Sequence, residues 1–487
     1  MRVVARLMDG HRELPGMERG NFVHGGFPLS NLTLTTQEWA EEQFGDCQFG
    51  DRRRTQRAVT FAAQIANDTS GSTPQQTKNW GACKAAYRLV NRPEVTHVSL
   101  GTPHWEHTRE RTSGHWLLLG DTTEIEFGIH RQISGLGPTG DGWGRGFFLH
   151  SSLLVGAQSE EIIGLSGQEL FYRQRRNKKE SRHDRVLRKR ESEVWGRVID
   201  EVGAPPPEVR FTHVFDRGAD NFEVYCHLLL NRVDWVIRAC QLKRHLVTFT
   251  DTSLKLVDYL ASLPEAGSYE LTVRKQKQQP ARTARVEVRF GMVSMPAPVF
   301  RTPWLKTCGI ESIVMWVVEV RETNPPPDVK PLRWVLYTSH AITSFEEALC
   351  VVGYYEKRTL IEEYHKALKS GCQVETRQYE TSRRLEAITG FLAIVAVRLL
   401  QLRAVARTNP DQPAQEVVPQ LWLDVLQTLR RRPRQSWTVR TFFRELAGLG
   451  GFLGRKSDGE PGWQTIWRGF DKLVIALMYA ESLKKCG

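Results

Sequence analysis

The sequence predicts an α/β fold in which a mixed sheet with flanking helices lies between two helical regions. Two observations predict it. Short runs with strand periodicity, either apolar or alternating, fill the middle of the chain from residue 115 to about 338. Runs of good helix formers with helix-start residues precede this part, at 36–108, and follow it, at 375–487.

The chain divides into four predicted segments. Residues 1–35 are rich in Gly, Pro and Asn and are expected to be a poorly ordered tail. Helical segments are expected at 36–108 and 375–487, with the α/β segment between them at 109–374. Within the α/β segment, residues from about 245 to 332 are mainly β in pattern and resemble an insertion.

Composition indicates a cytoplasmic protein with an anionic partner. The 487 residues carry a net charge of +12, which favours polyanions, nucleic acid before acidic membrane. The eight cysteines form no Cys-x-x-Cys pair, which is typical of reduced thiols rather than a disulfide frame or zinc site. The apolar run 387–397 is too short to cross a bilayer, so we expect a buried core helix and no membrane partner.

Two basic stretches are candidates for contact with DNA phosphates. Four arginines stand at the start of an Ala-rich helix: Arg52, Arg53, Arg54 and Arg57. Residues 173–190 hold ten Lys or Arg against two acids. The ordinary alternative for each stretch is a solvated basic surface. The net charge of the chain favours DNA contact over that alternative.

Three carboxylates are singled out by where they lie. Asp121 follows the apolar run 116–119, and Asp216 follows the alternating strand 209–215. Glu362 lies on a predicted helix. Taken singly, each acid has a simpler explanation, such as a turn, a helix cap or an ion pair. Taken together, two strand-end aspartates and a helical glutamate suggest one site.

The helix predicted from 355 to 369 has two unlike faces. At about 100° per residue, one line carries an aromatic hydroxyl, three cations and one carboxylate. These residues are Tyr355, Arg358, Glu362, Lys366 and Lys369. The opposite face is apolar and is expected to pack on the core. An amphipathic helix with ion pairs four residues apart is the default explanation. The alternative is that the acid holds a metal while the cations hold an anion.

Carboxylate oxygens are ligands that magnesium and manganese prefer. Two such ions, Mg²⁺ or Mn²⁺, activate a water or a 3′-hydroxyl and stabilise the leaving oxygen in an attack on phosphate. A competing motif is Glu362-x-x-His365, which has the spacing of di-iron helix bundles, but glutamates on two further helices are not evident. Phosphate-loop and serine-hydrolase motifs are absent from the sequence.

Several of these motifs resemble bacterial cut-and-paste transposases of the insertion-sequence-four family. The family's Tyr-x2-Arg-x3-Glu-x6-Lys motif is matched without a gap by Tyr355, Arg358, Glu362 and Lys369. Its first-Asp strand is similar to GDTTEIEF, which contains Asp121, and its Asp-Arg-x-Ala-Asp motif is similar to DRGAD at 216–220. The resemblance covers residues from about 36 to 480.

The resemblance implies an RNase H-like catalytic core at 109–374 with a β-rich insertion at about 245–332. It implies a DNA-binding domain at 36–108 and a dimerisation region at 375–487. The implied activity is that of a DDE transposase, which cleaves DNA at the inverted repeats of an element, passes through a hairpin and joins the ends to target DNA. The implied partners are DNA and a second copy of the chain, in a synaptic complex at the nucleoid of the bacterial cytoplasm.

The same resemblance implies roles for individual residues. Two magnesium or manganese ions are ligated by Asp121, Asp216 and Glu362. DNA phosphates near these ions are contacted by Tyr355, Arg358, Lys366, Lys369 and Arg238. Trp334 falls where the family has a tryptophan that stacks a flipped base. Thr359 departs from the family pattern, which has a second tryptophan there, so the hairpin step is left open.

Two other functions stay open from the sequence. One is a catalytically silent DNA-binding regulator of transposition, and the complete set of three carboxylates argues against it. The other is a nuclease or junction resolvase on the same core, which strand joining would distinguish from a transposase.

Overall fold

The structure is a computed structural model. It describes residues 34–485, with gaps at 112, 129–130, 132, 160, 174–180, 182–189, 274–280, 409, 432–435 and 456–457. The predicted tail at 1–35 and the basic run at 173–190 therefore lie almost wholly outside the described residues.

Within the described residues, five helices form the N-terminal region. They are α1 (Thr36–Phe44), α2 (Arg52–Asn67), α3 (Thr73–Thr77), α4 (Trp80–Val90) and α5 (His97–Arg109). Side chains at the starts of these helices accept hydrogen bonds from backbone N–H groups of the first turn. Thr35 and Glu38 form a capping box at α1, and the Asp51 carboxylate accepts a hydrogen bond from the Arg53 N–H at α2. The predicted helical character of this region is confirmed.

One large mixed sheet forms the centre of the molecule. Its strands in the described part of the chain are β1 (Gly114–Glu126), β2 (Gly137–Thr139), β3 (Gly144–Gly156), β4 (Ile162–Phe171), β5 (Val209–Phe215), β6 (Asp234–Arg238), β7 (His245–Thr248), β8 (Ser253–Lys255), β9 (Gly267–Val273), β10 (Arg282–Pro296), β11 (Ser312–Glu322) and β12 (Arg333–Thr338). Their order is β2-β3-β1-β5-β6-β12-β11-β10-β7-β8, with β4 paired to β3 and β9 paired to β10. A mixed α/β fold is therefore confirmed.

The centre of this sheet positions the acids. β1 pairs antiparallel with β3 and parallel with β5, and β5 pairs parallel with β6. Two helices, α6 (Val194–Val202) and α7 (Phe222–Leu230), contribute to the apolar core on one face. Because β1 and β5 run the same way side by side, the residues that follow their paired segments meet at one edge of the sheet.

The β-rich segment at 245–332 does not form a sheet of its own. Strands β7, β8, β10 and β11 extend the central sheet, and β12 lies between β6 and β11. Two short helices, α8 (Leu256–Ser262) and α9 (Pro303–Cys308), interrupt the strands. The segment is an insertion in sequence, but its backbone hydrogen bonds are continuous with those of the central strands.

The helix predicted at 355–369 is broken into two. The two helices are α10 (Phe345–Glu356) and α11 (Thr359–Lys366). Between them the Arg358 N–H bonds the Tyr355 carbonyl, three residues back, instead of the carbonyl four residues back. The prediction of one continuous helix is therefore wrong. Arg358, the residue before α11, is 9% exposed.

Four helices form the C-terminal region of the described chain. They are α12 (Ser382–Thr408), α13 (Gln420–Arg430), α14 (Val439–Leu449) and α15 (Trp463–Lys485). The segment Ser382–Leu402 of α12 is long and apolar enough to cross a membrane, but 94% of its apolar window is buried inside the protein. The predicted core helix is therefore confirmed, although it is longer than the run 387–397 suggested.

Candidate active site

Asp121 lies in the middle of a strand. The sequence prediction placed it at a strand end, but β1 continues to Glu126, so that placement is wrong. The parallel pairing of β1 with β5 ends where Leu119 lies opposite Val214, and Asp121 comes two residues later. On the other side Asp121 lies opposite Ser151 of β3. The carboxylate is thus carried past the end of β5 by a strand that remains paired on one side.

Asp216 directly follows β5, as predicted. Its Oδ1 accepts a hydrogen bond of 2.7 Å from the Gly218 N–H and caps the short helical turn Arg217–Ala219. Burial raises the pKa of Asp216, and the neighbouring charge of Asp121 raises it further. The two aspartates are therefore close enough to repel one another.

Arg358 joins the strand acid to the helix acid. Its Nη1 donates to Asp121 Oδ2 at 3.3 Å, and its Nη2 donates to Glu362 Oε1. The Arg358 side chain is 11% exposed, so water screens these ion pairs only partly. The buried guanidinium of Arg358 therefore contacts both the Glu362 carboxylate of α11 and the Asp121 carboxylate of β1.

The electrostatics of this cluster favour an added positive charge. Burial raises the pKa of Asp121, Asp216 and Glu362. For Glu362, the Arg358 charge acts against burial, whereas the charges of Asp121 and Asp216 act with it. Burial alone would lower the pKa of Arg358, but the surrounding acids raise it above its ordinary value. Three partly buried acids thus lie within the electrostatic reach of the Arg358 guanidinium.

A divalent cation fits this donor set by chemistry. No three His, Cys, Asp or Glu side chains of the described ranges are grouped, as they stand, to hold a metal ion. The guanidinium of Arg358 lies between Asp121 and Glu362, where a metal ion would otherwise lie. The donors there are carboxylate oxygens, which suit Mg²⁺ or Mn²⁺. A metal at this place therefore requires Arg358 to move aside.

The other residues of the predicted cationic line differ from one another. Tyr355 is only 5% exposed and belongs to the apolar core rather than to the face opposite it, and its contact with DNA stays a prediction. Lys366 is exposed. Lys369 is half-buried, and its Nζ lies 3.1 Å from the Glu375 carboxylate, which also accepts a hydrogen bond from the Glu126 N–H. Lys369 is thereby linked to the far end of β1, on the strand that carries the first aspartate.

Arg238 and Trp334 lie on the neighbouring strands β6 and β12. Arg238 ends β6, and its charge, after the larger effects of burial and Asp121, is among those that lower the pKa of Asp216. Its Nη2 donates to the Arg333 carbonyl at 3.4 Å. Trp334 is partly buried against the core, so its ring has limited exposed surface.

The four N-terminal arginines are not equivalent. Arg54 is used inside the protein, because its Nη1 donates to the Phe49 carbonyl at 2.8 Å and lies 3.0 Å from a Glu94 oxygen. Arg52 and Arg53 are exposed, and Arg57 is half-buried. Three of the four predicted DNA contacts therefore keep side-chain surface on α2 that a phosphate can reach.

Sequence reasoning gave no role to Lys357, Asp220 or Arg244. The Lys357 Nζ donates to the carbonyls of residues 156, 157 and 159, at 3.3, 2.6 and 2.8 Å, and fixes the start of α11 to the end of β3. Only Asp220 had a sequence signal, as the last acid of DRGAD. Lys357 had none, because its acceptors lie about two hundred residues earlier.

Comparison with known families identifies both ends of the chain. Residues 36–95 match the transposase DNA-binding family. Residues 394–487 match the Tn5 transposase dimerisation domain. The protein is thus a transposase that binds DNA and forms a homodimer. More narrowly, the two matches identify a Tn5-like transposase, a type that implies DNA-cleaving activity.

Proposed function

We propose that this protein is a metal-dependent DDE transposase. It cleaves DNA at the ends of its element and joins them to target DNA in the bacterial cytoplasm. The observation that carries the proposal is the convergence of Asp121 and Glu362 on Arg358, with Asp216 at the same edge of the sheet. The DNA-binding and dimerisation matches supply the two partners that such a reaction needs.

The proposed core is RNase H-like. The strand order β4-β3-β1-β5-β6 supports it, because only β3 runs against the other four strands. Asp121 on β1 and Asp216 after β5 then lie on adjacent parallel strands, as this arrangement requires. Glu362 reaches them from a helix near the C-terminal end of the core.

In this mechanism Asp121, Asp216 and Glu362 would hold two Mg²⁺ or Mn²⁺ ions. When bound, such ions activate the attacking oxygen and stabilise the leaving oxygen of the phosphate. The carboxyl groups must be ionised to serve as ligands, and burial makes each harder to ionise without a cation nearby. Arg358, which pairs with Asp121 and Glu362 in this structure, would then be free to contact a DNA phosphate.

The surrounding cations position the DNA. Lys366 is an exposed residue one turn after Glu362, and Lys369 follows it beside the end of β1. Arg238 supplies a guanidinium on the Asp216 side. A phosphate backbone laid across the acids thus meets positive charge on both sides, which favours binding of DNA to the site.

A hairpin intermediate is part of the proposal. The partly exposed Trp334 is the residue that would stack a displaced base. Thr359 gives no aromatic surface, and its hydroxyl donates to the Glu356 carbonyl at 3.2 Å. Of the two positions, only Trp334 would therefore contribute a ring to base displacement in this protein.

The test is cleavage of DNA that carries the inverted repeats of the element. Asp121→Asn, Asp216→Asn and Glu362→Gln should each reduce cleavage to background, while binding to the ends stays close to wild type. Glu363→Gln, which changes the neighbouring acid of α11, is the control and should cleave normally. Near-normal cleavage by any of the three variants would refute the triad. Cleavage by the wild type without strand joining would point to a nuclease instead.

A further inference from the structure

We propose that Asp220 and Arg244 form a positioning pair that sets Asp216 relative to Arg238. The proposal rests on the DDE function given above and extends it to two residues that touch neither DNA nor metal. Neither residue has a role in that function so far. Their effect would be exerted through the backbone turn that carries Asp216.

The Asp220 side chain is fully buried and accepts hydrogen bonds from three groups. Arg244 Nη1 donates to its Oδ1 at 2.5 Å, and the Tyr225 hydroxyl donates to the same oxygen at 3.2 Å. The Cys240 N–H donates to Oδ2 at 2.6 Å. The Asp220 carbonyl also accepts a hydrogen bond from Arg244 Nη2, at 3.1 Å. Arg244 therefore binds both the side-chain carboxylate and the backbone carbonyl of Asp220.

These contacts join the two chain segments that flank the site. On one side, the turn from Asp216 to Asp220 is closed by the Ala219 N–H to the Asp216 carbonyl, at 3.3 Å. On the other, Cys240 comes two residues after Arg238, at the end of β6. A displacement of Asp220 would therefore move the Asp216 carboxylate and the Arg238 guanidinium relative to each other.

The charge of the pair makes this link rigid. A buried carboxylate is costly unless it is paired, and Arg244, with a side chain 15% exposed, is its ion-pair partner. The charge of Asp220 and its hydrogen bond act to raise the pKa of Arg244 against the opposing effect of burial. Groups that orient a ligand in this way typically change metal affinity or activity by about 10- to 100-fold when they are lost.

The molecule contains a matched control pair. Arg282 and Glu322 form a two-pronged ion pair in the β-rich segment, and in both pairs the arginine side chain is 15% exposed and the acid 0%. Glu322, at the end of β11, accepts a hydrogen bond from the Leu332 N–H. We give Glu322 no part in the reaction. Loss of either acid removes one equally buried ion pair, but only Asp220 is attached to the Asp216 turn.

The experiment compares Asp220→Asn with Glu322→Gln in the full-length protein. Three properties are measured: thermal stability, binding of element-end DNA, and the affinity of the protein–DNA complex for Mn²⁺ by electron paramagnetic resonance. We expect both variants to lose similar stability and keep DNA binding. Only Asp220→Asn should bind Mn²⁺ about 10- to 100-fold more weakly. Arg244→Lys, which keeps the charge but not the two-pronged contact, should lie between Asp220→Asn and wild type.

Equal Mn²⁺ affinity in Asp220→Asn and Glu322→Gln would overturn the positioning role. If Asp220→Asn fails to fold, Arg244→Lys carries the same comparison. Failure of the underlying function looks different, because in that case Asp216→Asn itself would leave Mn²⁺ affinity and cleavage unchanged.

Discussion

At the scale of single residues, Arg358 behaves least as its position in the sequence suggests. On a helical wheel it is one of three outward cations, yet its guanidinium lies between two partly buried carboxylates. The three acids could be predicted from the sequence, because each stands beside a strongly patterned strand or helix. The inward direction of Arg358 could not, because its partner Asp121 lies 237 residues earlier in the chain.

Arg358→Gln should destabilise the protein when divalent metal is absent. The change leaves two partly buried carboxylates without the guanidinium that pairs with them, at a cost of about 1–3 kcal/mol in the free energy of unfolding. Adding Mn²⁺ should recover more stability in Arg358→Gln than in the wild type, because no guanidinium competes for the acids. Chemical denaturation with and without Mn²⁺ measures both effects.

Lys366→Gln is the matched control for that experiment, since it removes an exposed cation eight residues further along the same chain segment. It should change stability by less than about 0.5 kcal/mol. If Mn²⁺ stabilised both variants equally, Arg358 would not occupy the place of a metal ion.

At the scale of elements, glycine governs the packing of the C-terminal helices. A Cβ on Gly469 of α15 would lie 1.7 Å from the Leu446 carbonyl oxygen of α14, and one on Gly450 would lie 1.9 Å from the Thr465 carbonyl oxygen. The two helices therefore approach closely enough for backbone to meet backbone. This contact lies within the residues that match the dimerisation domain.

Gly469→Ala should therefore destabilise the protein, although alanine is the better helix former. Overpacking at this contact is expected to cost about 1–3 kcal/mol. Gly353→Ala in α10 is the control, because a Cβ there meets nothing within 4 Å. That variant should be neutral or up to about 1 kcal/mol more stable. Thermal denaturation decides, and a Gly469→Ala variant as stable as Gly353→Ala would contradict the close contact.

At the scale of the whole molecule, the sequence predicts the parts better than their assembly. Alternating apolar residues identified most strands, because that pattern is local. The junction of the N-terminal and C-terminal regions was not predictable. There Phe391 of α12 packs against Phe44 and Phe61 with ring centroids 5.3 and 5.4 Å apart. Contacts across more than three hundred residues leave no periodic trace in one sequence. For the same reason, the joining of the β-rich segment to the central sheet was missed.

Buried histidines predict how the assembled molecule responds to acid. Burial lowers the pKa of seven imidazoles: to about 4 for His97, His115 and His340, and to about 3 for His104, His150, His213 and His365. In the unfolded chain a histidine has a pKa of about 6.5. Above that pH the imidazoles are neutral in both states. Below it the unfolded chain binds protons that the folded protein excludes, so stability falls as pH decreases from about 6.5 toward 4.

His213 gives the sharpest test of this expectation, because neither of its buried ring nitrogens has a hydrogen-bond partner in the described structure. His213→Leu removes one proton-binding group of the unfolded chain without breaking a bond in the fold. Near pH 5 the free energy of unfolding should fall with decreasing pH in both proteins. The slope should be smaller for His213→Leu than for the wild type, by about 1.4 kcal/mol per pH unit. Urea denaturation from pH 7.5 to 4.5 gives the slopes, and identical slopes for His213→Leu and wild type would mean that His213 takes up a proton in the folded protein.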